Sequence, residues 1–301
     1  MYKVCLAFSL VMMMISCGTQ KATSLTNADK EEWVPLFNKK DLNGWDIKIA
    51  GFDLNDNAYN TFYVKDSMLV VDYSKYEKFT QQFGHIYYKE PFSYYKVHVE
   101  YQFYGKQLTG GPSYAYLNSG VMLHSQSAAS VGKQQTFPVS LELQLLACDS
   151  VIKNHTGNLC TPGTIVSMNG KIRPDHCIDS NSPYYDQGDW VAAEAVVYGD
   201  SLIHHLIDGD TVLTYEKPMI AGDFVNSAFT FTSGGFGADS IKWIQNKNMA
   251  LSSGYIALQA ESHPIRFRKV ELLNLEGCMD KTALNYKSYY VKADNSKCRY
   301  K

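Results

Sequence analysis

The 301-residue chain has almost no excess charge, with 28 Lys and Arg against 30 Asp and Glu, a net of −2. These charges are scattered and form no concentrated basic patch, so a nucleic-acid partner is excluded. No Cys-x2-Cys pair occurs anywhere, which removes the usual spacing of structural zinc ligands. After the first seventeen residues no apolar run approaches the ~18 residues of a transmembrane helix, so none is expected. Long stretches of period 3.6 are missing too, as is any βαβ rhythm, which excludes helical bundles and parallel α/β folds.

What is present is alternation of period two. Val97, Val99, Tyr101 and Phe103 point one way while His98, Glu100 and Gln102 point the other, as in a strand with one buried face. Leu141, Leu143 and Leu145 alternate with Glu142 and Gln144, and Ile256, Leu258 and Ala260 alternate with Ala257, Gln259 and Glu261. Between Trp190 and Glu216 the turn signals Gly199-Asp200 and Asp208-Gly209 separate three short β-rich runs, an antiparallel meander. Many short strands with regular turns indicate an all-β, two-sheet jelly-roll sandwich of the concanavalin A-like lectin/glucanase type. The 22 tyrosines and 14 phenylalanines suit strands, and they also suit stacking on pyranose rings.

The N-terminus sets the compartment. Lys3 precedes an apolar run from Val4 to Ile15 broken only by Ser9, the core of a signal peptide over residues 1–16. Its end, Met14-Ile15-Ser16-Cys17-Gly18, resembles a bacterial lipobox, so Cys17 is the expected lipidated first residue of the mature chain. Residues 17–32 read as a flexible tether. The expected location is outside the cytoplasm, held to the membrane by the lipid and facing the periplasm or cell surface. Export agrees with the cysteines that remain, because an oxidising compartment favours disulfides. Cys278 and Cys298 are natural partners; among Cys148, Cys160 and Cys177 the favoured pair is Cys160 with Cys177, although spacing does not decide it.

Five phrases in order then resemble one family. Trp33-Val34-Pro35-Leu36-Phe37-Asn38 with Asp41-Leu42-Asn43-Gly44-Trp45 matches its opening, and Asn118-Ser119-Gly120-Val121 matches an inner strand. Phe137-Pro138 leading into Leu141-Glu142-Leu143-Gln144-Leu145 corresponds to another strand, and Ile207-Asp208-Gly209 to a hairpin. Gly254-Tyr255-Ile256-Ala257-Leu258-Gln259-Ala260-Glu261 with Pro264-Ile265-Arg266-Phe267-Arg268 is close to the closing pair. Residues 33–275 thus resemble the 3-keto-disaccharide hydrolase family, with little resemblance from Cys148 to Asp186. Residues 276–301 resemble a short Cys-bounded module of secreted proteins from Bacteroidetes-type bacteria; Asp280, Asp294 and Asn295 there carry donors for calcium, with solvated turn residues the simpler account.

The resemblance implies a site on the concave sheet face and a small carbohydrate substrate, a 3-keto-glycoside or 3-keto-disaccharide. A C3 ketone acidifies the C2 hydrogen, so a base removes it, the C1 substituent leaves, and water adds later. That chemistry needs a base, an electrophile for the enolate oxygen and an acid for the departing oxygen. Glu142 is the expected base, being opposite three leucines, with His124 and His263 as further catalytic candidates. His124 is expected to share the face of Met122. Asn118, Gln144, Gln259 and Arg266 are the candidate substrate-binding residues. Glu261 and His263 carry the donor types for a divalent cation, calcium, manganese or zinc, set against a Glu261–Arg266 or Glu261–Arg268 salt bridge; no cofactor is demanded. The other function class is a lectin-like carbohydrate-binding surface lipoprotein on the same sandwich, which needs aromatic platforms but no base.

Overall fold

The computed structural model describes residue 28 and residues 30–301. The signal peptide, the lipidation at Cys17 and most of the tether lie outside the described residues. Among the described residues no helix is long and apolar enough to cross a membrane.

Two antiparallel sheets make the body. The seven-stranded sheet runs, edge to edge, Cys177–Ile178, Leu159–Cys160, Leu141–Leu146, Asn118–Ser125, Tyr255–Ala260, Gly84–Tyr88 and Trp45–Ile49. In the ten-stranded sheet the middle positions are held by Val191–Tyr198, Tyr94–Phe103 and Ile265–Asn274, so strands far apart in sequence pair directly. This is a jelly-roll sandwich. The meander is formed by Val191–Tyr198, Leu202–Ile207 and Asp210–Ile220, each pairing antiparallel with the next. Its second turn has two residues with positive φ, Asp208 at 49° and Gly209 at 90°. Both values suit a two-residue hairpin whose twist matches its strands.

Alternation fills the space between the sheets. Tyr95, Val97, Val99, Tyr101 and Phe103 from one sheet and Val121, Leu123, Leu141, Leu143, Leu145, Ile256 and Leu258 from the other belong to one continuous core. Fully burying each such side chain stabilises the fold by roughly 1.5–3 kcal/mol. The opposite, outer face of the seven-stranded sheet is covered as well. Tyr87, Met122 and Ala257 there pack under Ala128 and Val131 of the segment that follows Ser125. All eight residues of Asn118–Ser125 are therefore buried, where simple alternation would leave every second one wet.

Cys160 and Cys177 are directly opposed in their two short strands and form a disulfide. Cys148 is a buried free thiol. The second disulfide, Cys278–Cys298, closes the C-terminal module, where Glu276–Gly277 pairs in parallel with Lys292–Ala293. Asp280 accepts hydrogen bonds from Thr282 and from the Tyr300 hydroxyl, and Asn295 accepts one from the Met279 N–H. These side chains shape turns. A loop of 20 residues closed by a disulfide gains on the order of 3 kcal/mol. Replacing Cys278 and Cys298 together by Ser should accelerate amide exchange between residues 278 and 298, leaving Leu141–Leu146 protected. Equal acceleration in both places would contradict this division.

Candidate active site

The site lies on the outer face of the seven-stranded sheet. Leu141, Leu143 and Leu145 face the core, which turns Glu142 and Gln144 outward. On the neighbouring strand the same parity turns Asn118, Gly120 and Met122 outward, with Gly120 opposite Gln144 and Met122 opposite Glu142. Gly120 has a specific reason to be glycine. A Cβ at that position would fall 2.5 Å from Glu142 Oε1 and 2.7 Å from its Cγ. The Glu142 side chain therefore lies across a backbone with no side chain, rather than standing out into solvent.

Beside it opens a cavity of about 500 Å3. Its polar lining comes from Glu142, Glu261, Asn118, Gln144, Asp175 and His176, and its aromatic lining from Tyr114, Phe137, Phe224 and Phe229. Phe229 meets Tyr114 edge-on at 5.9 Å and Phe137 at 5.5 Å, so three separated loops contribute to one aromatic wall. Gln144 donates to Asn118 Oδ1 at 3.3 Å, and Asn118 donates to the Tyr114 carbonyl at 2.9 Å.

The two carboxyls control the electrostatics. Glu142 is only 6% exposed and Glu261 only 3%. Burial raises the proton affinity of Glu142. It does the same to Glu261, whose affinity rises further because a charge on Glu142 opposes a second one. Like charges confined this way do not both ionise at neutral pH: burial lifts Glu142 to about 8 and Glu261 further, so the first proton leaves Glu142 only above neutrality and the second is held more firmly on Glu261. Once Glu142 has ionised, a carboxylate base and a carboxylic acid stand in one cavity.

The structure gathers Glu142, Glu261, Asn118 and Gln144, and it places four other expected residues elsewhere. At His124 the backbone takes φ 48°, which breaks the alternation; the expected shared face with Met122 is not formed. Its ring meets Tyr95 edge-on at 5.7 Å and its Nε2 lies 3.1 Å from the Gly199 carbonyl oxygen. Burial pulls its pKa down to about 4. His263 is turned away from Glu261 by Ser262, at φ 74°, and sits between Phe103 and Tyr116 at 5.7 and 5.3 Å. Its Nδ1 accepts the Leu117 N–H, and burial lowers its pKa to about 4. Neither histidine lines the cavity.

The Glu261–His263 donor set does not fit a divalent cation, because only Glu261 faces the cavity. Among the described residues no group of three or more His, Cys, Asp or Glu side chains could hold a metal. Arg266 lies on the far side of the molecule. It opens Ile265–Asn274, where it faces Gln102, donates to that amide oxygen at 2.7 Å and packs by the Tyr104 and Trp190 rings. Arg268 pairs with Glu100, so neither arginine bridges to Glu261. Gln259 is on the right face but fully buried and outside the cavity lining.

Sequence reasoning missed His176 and the aromatic wall. His176 reaches the cavity because Cys177 is stapled to Cys160, which in turn lies opposite Glu142. Only that register connects residue 176 with residue 142. The favoured Cys160–Cys177 pairing was the available signal.

Fold and cavity together define a two-sheet, lectin-like sandwich with a paired-carboxyl pocket on one sheet face. The chain belongs to the 3-keto-alpha-glucoside-1,2-lyase-like domain family, whose model matches residues 32–273. That family is carbohydrate-related. No curated protein matches. A structure described as a "putative glycosyl hydrolase" from Parabacteroides distasonis ATCC 8503 is 18% identical, covering 83% of this chain and 98% of its own, with TM-score 0.47. A Bacillus subtilis protein of unknown function with a galectin-like fold is 13% identical, covering 81% and 97%, with TM-score 0.45. The carbohydrate-binding module CBM66 from Bacillus subtilis is 11% identical over 83% and 99%, with TM-score 0.40.

The carboxyl pair has a thermodynamic signature. Both groups bind protons more tightly folded than unfolded, so their contribution is complete below the unfolded carboxylate range and is lost as pH rises through the folded values. Glu142→Gln removes one of the two charges. In urea melts the variant should gain on the unaltered chain as pH goes from 5 to 9, by more than about 1.4 kcal/mol, the worth of a tenfold change in proton affinity. A gap independent of pH would refute the shared-proton description. Gly120→Ala should displace Glu142 and reduce this pH dependence, read in the same melts.

Proposed function

We propose that the chain cleaves the glycosidic bond of 3-keto-glycosides or 3-keto-disaccharides by C2 proton abstraction and elimination, followed by hydration. The observation that carries this reading is the buried Glu142–Glu261 pair, Glu142 the first to ionise and Glu261 the more firmly protonated, beside a cavity with aromatic walls. Glu142 takes the C2 proton. The remaining N–H of Gln144 and the polar lining around it supply hydrogen bonds as charge grows on the C3 oxygen. Glu261 gives its proton to the oxygen leaving C1, which completes the elimination with Glu142 protonated and Glu261 ionised. Tyr114, Phe137 and Phe229 offer faces for the ring and its aglycone.

The reading keeps the expected setting of a chain exported and tethered by lipid at Cys17. Soluble 3-keto sugars would then meet the cavity outside the cytoplasm.

A lectin reading rests on the same aromatic wall. It gives no use to two buried carboxyls, whose ionisation costs the fold stability. The purified protein is tested on 3-keto-trehalose in deuterated water, with aglycone release and deuterium at C2 as readouts. The expected result is release with C2 exchange, reduced by about 10²–10⁴ in Glu142→Gln, the usual worth of a general base, with substrate still bound. Binding with neither release nor exchange identifies a lectin. Release with neither C2 exchange nor any unsaturated ketone identifies an ordinary glycosidase, in which the carboxyls act at C1.

A further inference from the structure

A second polar group lies behind the carboxyl pair, outside the cavity lining. Gln259 is 0% exposed and His85 2% exposed, and neither lines the cavity. The two residues are directly opposed on neighbouring strands, on the sheet face that also carries Glu142. Gln259 is two positions before Glu261 on that same face. Both amide atoms of Gln259, Nε2 of His85 and Oε2 of Glu261 are buried without a hydrogen-bond partner among the described residues.

Four such atoms on three adjoining residues are too costly to leave unpaired, since buried polar groups are almost always satisfied. The partner must be small and must both donate and accept, because the amide offers one of each and a neutral imidazole does likewise. Burial holds His85 neutral, with a pKa near 3. Water meets these demands, and buried waters in proteins typically make about three hydrogen bonds. Glu261 belongs to both compartments, because its side chain lines the cavity while Oε2 is shut away.

We propose that Gln259, His85 and Glu261 hold the water that hydrates the elimination product, which makes the chain a complete hydrolase. The inference rests on the elimination reading above and deepens it. After the aglycone leaves, C1 and C2 share a double bond conjugated to the C3 ketone. The water oxygen bonds to C1, its proton passes to the Glu261 carboxylate, and C2 recovers a proton from Glu142. One water is added, both carboxyls return to their starting protonation, and nothing is oxidised or reduced. Gln259 and His85 act as positioning residues through that water.

The test reads early products from 3-keto-trehalose as the ratio of unsaturated ketone, followed by its ultraviolet absorbance, to hydrated 3-keto sugar. Gln259→Leu should raise this ratio at least tenfold over the unaltered chain. His85→Phe should do the same, and His85→Gln, which keeps a donor and an acceptor, should restore it. An unchanged ratio in folded Gln259→Leu or His85→Phe overturns the assignment. A crystal structure supplies an arm independent of activity, with ordered water expected within about 3.2 Å of Gln259 Nε2 and His85 Nε2. A dry site there overturns it as well. Absence of aglycone release by the unaltered chain instead overturns the elimination reading, and with it the reaction given to this water.

Discussion

Two carboxyls share one buried space on a sheet face, and that confinement orders much else in the molecule. Desolvation opposes ionisation of each, and the charge on one opposes the charge on the other. The strands could accommodate Glu142 pointing into solvent, as outward glutamates usually do. It lies flat because Gly120 leaves room beneath it and because loops close over the sheet. The stability surrendered by burying the pair is offset by the continuous core on the other face of the same strands. A single strand pair therefore both anchors the fold and strains the site.

The architecture was largely legible from period-two patterning, since a buried face fixes parity wherever a strand runs regularly. Leu141, Leu143 and Leu145 placed Glu142 correctly for that reason, and Tyr255–Ala260 placed Gln259 and Glu261 on the same side. Parity fails where the backbone leaves the extended region. His124 and Ser262 both have positive φ, at 48° and 74°, and each redirects a histidine that alternation would have aimed at the cavity. Neither residue is glycine, asparagine or aspartate; histidine is enriched in this conformation, but a single histidine inside an alternating run does not announce it. Arg266 failed differently. It was expected among the substrate-binding residues, but it is the second residue of Ile265–Asn274, where parity sends it to the opposite face of the sandwich.

Coverage of the outer sheet face was not legible at all. Antiparallel sheets commonly leave one face wet, and the alternation of polar residues here agreed with that expectation. The cover consists of irregular segments whose apolar residues show no period. Ala128 and Val131 close one end over Met122 and Ala257, while Phe137, Phe224 and Phe229 wall the other. Such packing depends on where loops return, which is a property of the assembled sheets.

The stretch from Cys148 to Asp186, poorest in resemblance, nonetheless reaches the cavity through the Cys160–Cys177 disulfide. Cys160 faces Glu142 across one register step, and His176 adjoins Cys177 at the rim. A covalent link at this position holds that wall beside the flat-lying carboxyl over glycine. The chemistry and the wall that frames it are thus supplied by different parts of the chain. The wall's attachment does not rely on its own small core, whereas the placing of Glu142 depends on the space that Gly120 leaves. The shape of the cavity and the protonation of the pair are separable on these grounds. Altering residues 175, 176 or 229 changes what fits beside the pair, and altering residue 120 changes the pair itself.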